Sequence, residues 1–317
     1  MKKNTLIALL LIVLVVALTG CKKEKPEEAI EPNEVVEQPV EVNEDDIKII
    51  MDEFNTLTKG DTDPTEIVSY VDNNIKKVST LEGDLMIDSL EQSLDGNIEE
   101  LTNIIFATDK DNELMEIAGK EIFFPEGKIK DIKNDDLKDE ISKVYKNMYK
   151  LVNLEGEFYP IIDYTKLKTY EDQLSPEWNS YLSVRAMDSE KIPFADGGMV
   201  INFDELADRI LRTERHLNTY VEGFRQEELL ELYKSKLTAY MKGLPNTPIS
   251  NYSDNVIFDD VLGSYEETAK KEGHITAFTV AEYLETIEAN KSINNDRVKS
   301  KADELITEAV RVLTEYK

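Results

Sequence analysis

The sequence predicts an all-α, mainly helical protein, and two observations carry this prediction. Glycine is scarce, at 13 of 317 residues, whereas leucine, glutamate, lysine and isoleucine, which favour helices, are abundant. Apolar residues also recur every three or four positions over most of the chain after residue 46, as they do on the buried face of a helix. We therefore expect antiparallel helical hairpins that stack in a loosely repeat-like way.

Residues 47–155 are expected to form an N-terminal helical part. Caps, an early proline and a Lys-Gly ending mark its helix boundaries. The first expected helix runs from residue 47 to Lys59-Gly60, and the second begins after the caps Asp61 and Asp63. A third helix is expected over 83–107. A fourth begins at the cap Asp135-Asp136 and continues through Met148 and Leu151.

Residues 156–203 are expected to be an irregular, aromatic-rich loop segment, because three prolines and the pair Gly197-Gly198 interrupt it. A short helix near 175–188 and a short strand at Met199–Phe203 are predicted within it. Helical hairpins resume over residues 204–317, and the last three helices are expected at 257–272, 276–290 and 295–316. The length of 47–317 suits one large or two small domains, and both alternatives stay open.

The N-terminus has the parts of a secretory signal peptide. Lys2 and Lys3 precede an apolar run of thirteen residues, Leu6 to Leu18. That run fits the apolar region of a signal peptide. It is shorter than the roughly 20 residues that a membrane-spanning helix needs.

The apolar run ends in Leu18-Thr19-Gly20-Cys21, which resembles the lipobox of bacterial lipoproteins. The resemblance implies that residues 1–20 are a cleaved signal peptide and that Cys21 receives a diacylglyceryl group and often an N-acyl chain. It also implies that the lipid on Cys21 anchors the protein to the outer face of the cell membrane. The helical region that follows resembles uncharacterised helical lipoproteins of Firmicutes.

Residues 21–46 are predicted to be an extended tether. Residues 22–46 hold ten acids, three lysines and three prolines, a composition that stays solvated. Cys21 is also the sole cysteine of the chain. A lipid on this sulfur leaves no thiol for a disulfide, a cysteine-bound metal or nucleophilic catalysis.

The formal net charge of −28 excludes one class of partner. Nucleic-acid binding needs clustered lysine and arginine on a basic surface, so no nucleic acid is expected as a partner. Repulsion between this negative charge and anionic lipid also disfavours adhesion of the folded body to a membrane surface.

Aromatic residues are densest in the middle of the chain, where loops on a rigid scaffold often carry binding function. Two interpretations stay open: a ligand site for a wall component, a peptide or an envelope protein, and simple packing between two helical halves. The aromatic set is Tyr145, Tyr149, Phe158, Tyr159, Tyr164, Tyr170, Trp178 and Tyr181, and the candidate ligand-binding residues are Tyr159, Asp163, Tyr164, Tyr170 and Trp178.

Catalytic and metal signatures are weak throughout. No Gly-x-Ser-x-Gly elbow occurs, and His216, expected to face solvent, and His274 are the only histidines. Zinc motifs are missing, and the acidic run at Asp109 departs from a calcium loop at its sixth and twelfth positions. We therefore expect no metal, no cofactor and no catalytic residue.

The sequence favours a membrane-anchored extracellular lipoprotein that acts as a non-enzymatic binding or scaffold module of the cell envelope. One alternative is a cell-wall hydrolase with a carboxylate pair drawn from Glu155, Glu157 and Asp163. The other is a solute-binding lipoprotein of an importer, although the chain lacks the β-branched runs of parallel strands.

Overall fold

Polar caps and apolar stripes build a helical protein, and the all-α prediction is confirmed. The computed structural model describes residues 43–59 and 62–315. The helices, in chain order, are α1 Glu44–Thr58, α2 Pro64–Asn74, α3 Thr80–Gly96, α4 Ile98–Thr108, α5 Glu113–Ala118, α6 Asp135–Lys146, α7 Tyr164–Leu167, α8 Pro176–Glu190, α9 Phe203–Thr219, α10 Gln226–Lys242, α11 Asp259–Ala269, α12 Ile275–Ala289 and α13 Asp296–Glu315.

Side-chain caps explain where several helices begin. Asp63 accepts a hydrogen bond from the backbone N–H of Thr65 at the start of α2, so its predicted capping role is confirmed. Asn202 caps α9 in the same way. The predicted cap Asp61, the signal peptide, Cys21 and the tether up to residue 42 lie outside the described residues.

Over residues 43–59 and 62–315, three two-stranded antiparallel hairpins interrupt the helices. The longest pairs Tyr149 with Ile162 and Leu154 with Glu157, which leaves Glu155 and Gly156 as a two-residue turn. Both turn residues have positive φ, at 54° and 93°, as the common hairpin turn requires. The strands are β1 Tyr149–Leu154, β2 Glu157–Ile162, β3 Phe194–Ala195, β4 Gly198–Met199, β5 Gly243–Leu244 and β6 Thr247–Pro248.

Several predicted boundaries in the first half were wrong. The helix expected over 83–107 is two helices, since Asn97 ends α3 and begins α4. The cap of α6 is Asn134 rather than the Asp135-Asp136 pair. That helix ends at Lys146, because Met148 has a φ of 67°, outside the helical region.

The middle segment is more regular than predicted. Residues 156–203 contain strand β2, helix α7 and the β3–β4 hairpin in place of the expected loop, and α8 confirms the helix predicted near 175–188. The strand expected at Met199–Phe203 covers only Gly198–Met199, and Phe203 already belongs to α9. The three helices expected after residue 256 are confirmed as α11, α12 and α13.

One continuous hydrophobic core runs from Phe54 in α1 to Leu313 in α13. Neighbouring helices pack on each other as hairpins, α9 on α10 and α12 on both α11 and α13. The aromatic set packs into the same core, with only Tyr159 half-buried. Among the described residues, no helix is both long and apolar enough to cross a membrane.

Candidate functional site

The predicted ligand-binding residues do not gather at one place. The ring of Trp178 has no exposed surface, and the Tyr170 hydroxyl donates to Asp72 at 2.7 Å, so both are structural. Asp163 caps α7 and lies 3.2 Å from the Lys150 ammonium. Tyr159 stands apart on β2, where its ring meets Phe106 edge-on at 5.2 Å. Of the five, Tyr164 alone lines the cleft described next.

A cleft of about 410 Å³, here called the central cleft, opens where the two halves of the fold meet. Such junctions between packed helices are where ligand sites are commonly found. The cleft is lined by both apolar and charged side chains. Its lining residues are Asp95, Ile98, Ile161, Ile162, Tyr164, Arg185, Asp188, Ser189, Glu228 and Leu232.

Each lining group has a defined origin in the fold. The α3–α4 junction supplies Asp95 and Ile98, and the end of β2 supplies two isoleucines. Helix α8 contributes its charged turn around Arg185, and the first turns of α10 contribute Glu228 and Leu232. The apolar walls therefore come from the first half and α10, while most of the charge comes from α8 and α10.

Arg185 is held rigidly at the cleft. Its guanidinium carbon lies 4.4 Å from the centroid of the Tyr164 ring, within cation–π range, and it forms an ion pair with Glu228 of α10. One guanidinium nitrogen also lies 3.4 Å from the Tyr181 hydroxyl. Arg185 thus connects the rings of Tyr164 and Tyr181 to α10.

A buried carboxylate accepts hydrogen bonds from both of these tyrosines. Glu91 of α3 is 3% exposed and accepts hydrogen bonds from the hydroxyls of Tyr164, at 2.6 Å, and Tyr181. Burial, together with the Glu91 charge, raises the pKa of both tyrosines far above the ordinary value, so both hydroxyls stay protonated. Arg225 lies 3.7 Å from the second Glu91 oxygen and 2.9 Å from Asp88.

Asp188 extends the charged network away from the cleft. One of its oxygens lies 3.0 Å from Arg209 of α9, and the other lies 2.6 Å from Lys236 of α10. The Lys236 side chain has no exposed surface, and burial lowers its pKa despite the Asp188 charge. The three residues tie α8, α9 and α10 together behind the site.

Sequence reasoning missed these charged residues, although a signal existed. In α8 the buried stripe recurs at helical spacing, and Arg185 occupies one of its positions. Glu91 in α3, Glu214 in α9 and Lys236 in α10 likewise fall among buried positions of their helices. A charge on an apolar stripe must be paired when it is buried, which marks it for attention.

The other candidate chemistry does not assemble at the central cleft. Glu155 and Glu157 are exposed at the β1–β2 turn, whereas Asp163 follows the far end of β2, about 20 Å along the strand. His216 is buried, 1% exposed, rather than facing solvent as predicted, because it lies on the packed face of α9. Residues 43–59 and 62–315 contain no group of three or more histidine, cysteine, aspartate or glutamate side chains placed to hold a metal ion.

Comparison with protein-family models, with curated proteins and with solved structures found no match. Function must therefore be argued from the chemistry of the cleft itself.

Proposed function

We propose that this protein is a lipid-anchored, non-enzymatic binding module on the outer face of the cell membrane, and that its ligand occupies the central cleft. The fitting ligand is a basic, partly apolar segment of a peptide or an envelope protein. The observation that carries this proposal is the lining of the cleft, in which three carboxylates and a single guanidinium stand beside apolar side chains.

The carboxylates differ in their availability. Asp188 is neutralised by Arg209 and Lys236, and Glu228 is shared with Arg185. Asp95 is exposed, and its carboxylate makes no ion pair or side-chain hydrogen bond with the described residues. An ammonium or guanidinium entering the cleft would therefore meet Asp95 directly and Glu228 as its second partner.

The apolar lining of the cleft favours a ligand that carries an apolar side chain next to its positive charge. Ile98, Ile161 and Leu232 are half-buried along the cleft, so an apolar side chain packed there removes further surface from water. The overall charge of −28 favours encounter with a basic partner at long range.

The proposed location depends on Cys21, which lies outside the described residues. The lipobox-like Leu18-Thr19-Gly20-Cys21 sequence and the acidic tether support it. Labelling cells with an alkyne analogue of palmitate tests it: the native chain takes up label and fractionates with membranes, and Cys21→Ser does neither. Equal labelling of both chains would contradict the anchor.

Ligand class is tested by calorimetry on the full chain with three peptides, Ac-Leu-Lys-Leu-NH₂ and its norleucine and glutamate counterparts. The lysine peptide is expected to bind about tenfold more tightly than the norleucine peptide, a difference of about 1.4 kcal/mol. Asp95→Asn removes this preference, whereas Glu99→Gln, an exposed change on α4, retains it. Tighter binding of the glutamate peptide would instead assign the cleft to Arg185 and contradict the proposal.

The non-enzymatic part of the proposal has its own test. The purified chain is incubated with peptidoglycan and soluble products are measured. No release is expected. Release that is abolished by one Glu→Gln change would show a hydrolase and overturn this part.

A further inference from the structure

A second cavity, between α8 and α9, has the opposite charge to the central cleft. It encloses about 290 Å³ and is here called the α8–α9 groove. Its lining includes two arginines and no carboxylate, in a chain with 65 acids and 37 basic residues. The groove is lined by Ser180, Ser183, Val184, Met187, Arg212, Arg215, His216, Thr219 and Tyr220.

The two arginines lie one helical turn apart on α9 and are available to a ligand. Arg215 is exposed, and its guanidinium makes no ion pair or hydrogen bond with the described residues. Arg212 pairs with Asp208 at 2.7 Å, but both side chains are more than half exposed. Such a surface pair contributes little and is easily exchanged for a stronger anion.

His216 lies at the buried side of the groove. Its Nδ1 lies 2.9 Å from the Ser180 hydroxyl oxygen, and its ring centroid lies 5.0 Å from that of Tyr220. Its Nε2 is buried and has no hydrogen-bond partner among the described residues. Buried polar atoms are nearly always paired, so an unpaired nitrogen beside a cavity points to a missing partner.

We propose that the α8–α9 groove binds a phosphate group, as inorganic phosphate or as a phosphate monoester. The planar guanidinium of arginine matches the oxygens of phosphate and donates two parallel hydrogen bonds to them. The Tyr220 hydroxyl, which has no hydrogen-bond partner among the described residues, offers a further donor at the same groove. This site is separate from the central cleft, which none of these residues lines.

The histidine content of the chain permits a direct test. His216 and His274 are the only histidines of the sequence. An NMR spectrum of the full-length chain therefore shows two sets of imidazole ring resonances, one for each histidine. Titration with inorganic phosphate at constant ionic strength is expected to shift the His216 resonances and leave those of His274 in place. A titration with chloride reports any effect of salt alone.

Two variants make the result specific. Arg215→Ala is expected to weaken phosphate binding about tenfold or more, because it removes a charge-assisted donor pair. Arg297→Ala, an exposed arginine on α13, leaves binding unchanged. An unmoved His216 resonance, or an equal shift in Arg215→Ala, would overturn the proposal.

The source of the phosphate group is resolved by a second ligand. Glycerol 3-phosphate is titrated in the same way as inorganic phosphate. Arg215-dependent binding of glycerol 3-phosphate supports a phosphate ester as the natural ligand, and binding of inorganic phosphate alone supports the free ion. Binding of neither ligand contradicts the site.

Discussion

The carboxylate of Asp188 lies 2.6 Å from the ammonium of Lys236, a lysine whose side chain has no exposed surface. The pair joins α8 to α10 directly behind the central cleft. A buried ion pair of this kind has a large desolvation cost, which only good geometry and further partners offset. Arg209 supplies the further partner, at 3.0 Å from Asp188.

Removing the carboxylate of this pair is predicted to lower the free energy of unfolding more than removing the ammonium. Asp188→Ala leaves Lys236 as a buried cation without a counter-charge, while Arg209 keeps its ion pair with Glu205, so the free energy of unfolding should fall by about 3–5 kcal/mol. Lys236→Met leaves Asp188 paired with Arg209 and should change it by less than about 1.5 kcal/mol. Urea unfolding measures both, and a larger loss in Lys236→Met would contradict this network.

Glu214 provides a second prediction. This carboxylate on α9 is fully buried and accepts hydrogen bonds from the backbone N–H groups of Ile275, at 2.7 Å, and Thr276, at 2.9 Å. It therefore caps the N-terminus of α12 from a neighbouring helix. Glu214→Gln keeps one acceptor oxygen but loses the charge, so about 1–3 kcal/mol of stability should be lost. Glu285→Gln, on the exposed face of α12, is the control and should change stability by less than about 0.5 kcal/mol.

His216 makes stability depend on pH. Burial lowers its pKa to about 4, against 6.5 for an unperturbed histidine. The unfolded chain therefore takes up a proton first as pH falls, and stability present above pH 6.5 is lost as pH falls toward 4. Between pH 7.5 and pH 5 the loss from this group should be about 2 kcal/mol.

This contribution is isolated by comparing the native chain with His216→Gln in phosphate-free buffer. The native chain should lose about 2 kcal/mol more than the variant over that pH range, since the other acids contribute equally to both. Parallel pH profiles for the native chain and His216→Gln would show that burial does not depress this pKa.

The aromatic set yields a fourth prediction. Trp178 is fully buried and packs edge-on against Tyr181 at 5.1 Å, so Trp178→Ala should cost about 3–5 kcal/mol. Tyr159 is half-buried, and its hydroxyl contacts only Glu157 at 3.2 Å, so Tyr159→Ala should cost about 1 kcal/mol. Thermal unfolding ranks the two, and the reverse order would contradict the assignment of Trp178 to the core.

Helices were predictable from sequence wherever a single apolar stripe was bounded by a local cap, as in α2, capped by Asp63, and α13, where Asn295 accepts from the N–H of Val298. The β1–β2 hairpin was not, because Met148 and Leu151 continue the helical spacing of Ile141 and Val144. Only the left-handed backbone at Met148 and the turn at Glu155-Gly156 separate helix from strand. The periodicity of apolar residues does not reveal this change from helix to strand, because the change depends on the φ angle of a single residue.

The central cleft was harder to foresee than the fold. Tyr164 was a candidate because of its aromatic neighbourhood, but Arg185, Asp95 and Glu228 come from three distant helices. Only the fold brings them together, and sequence offers 65 acids from which to choose. Their pairing depends on tertiary packing that spacing along the chain does not encode.

Protection of a single introduced thiol tests the central claim most directly. In a Cys21→Ser background the chain has no other cysteine, so Leu232→Cys places the sole thiol in the central cleft. Saturating Ac-Leu-Lys-Leu-NH₂ should slow its alkylation about tenfold, while leaving Phe278→Cys, at a position 72% exposed on α12, unaffected. Alkylation of Leu232→Cys at the same rate with and without this peptide, or protection only by the glutamate peptide, would contradict the proposed ligand.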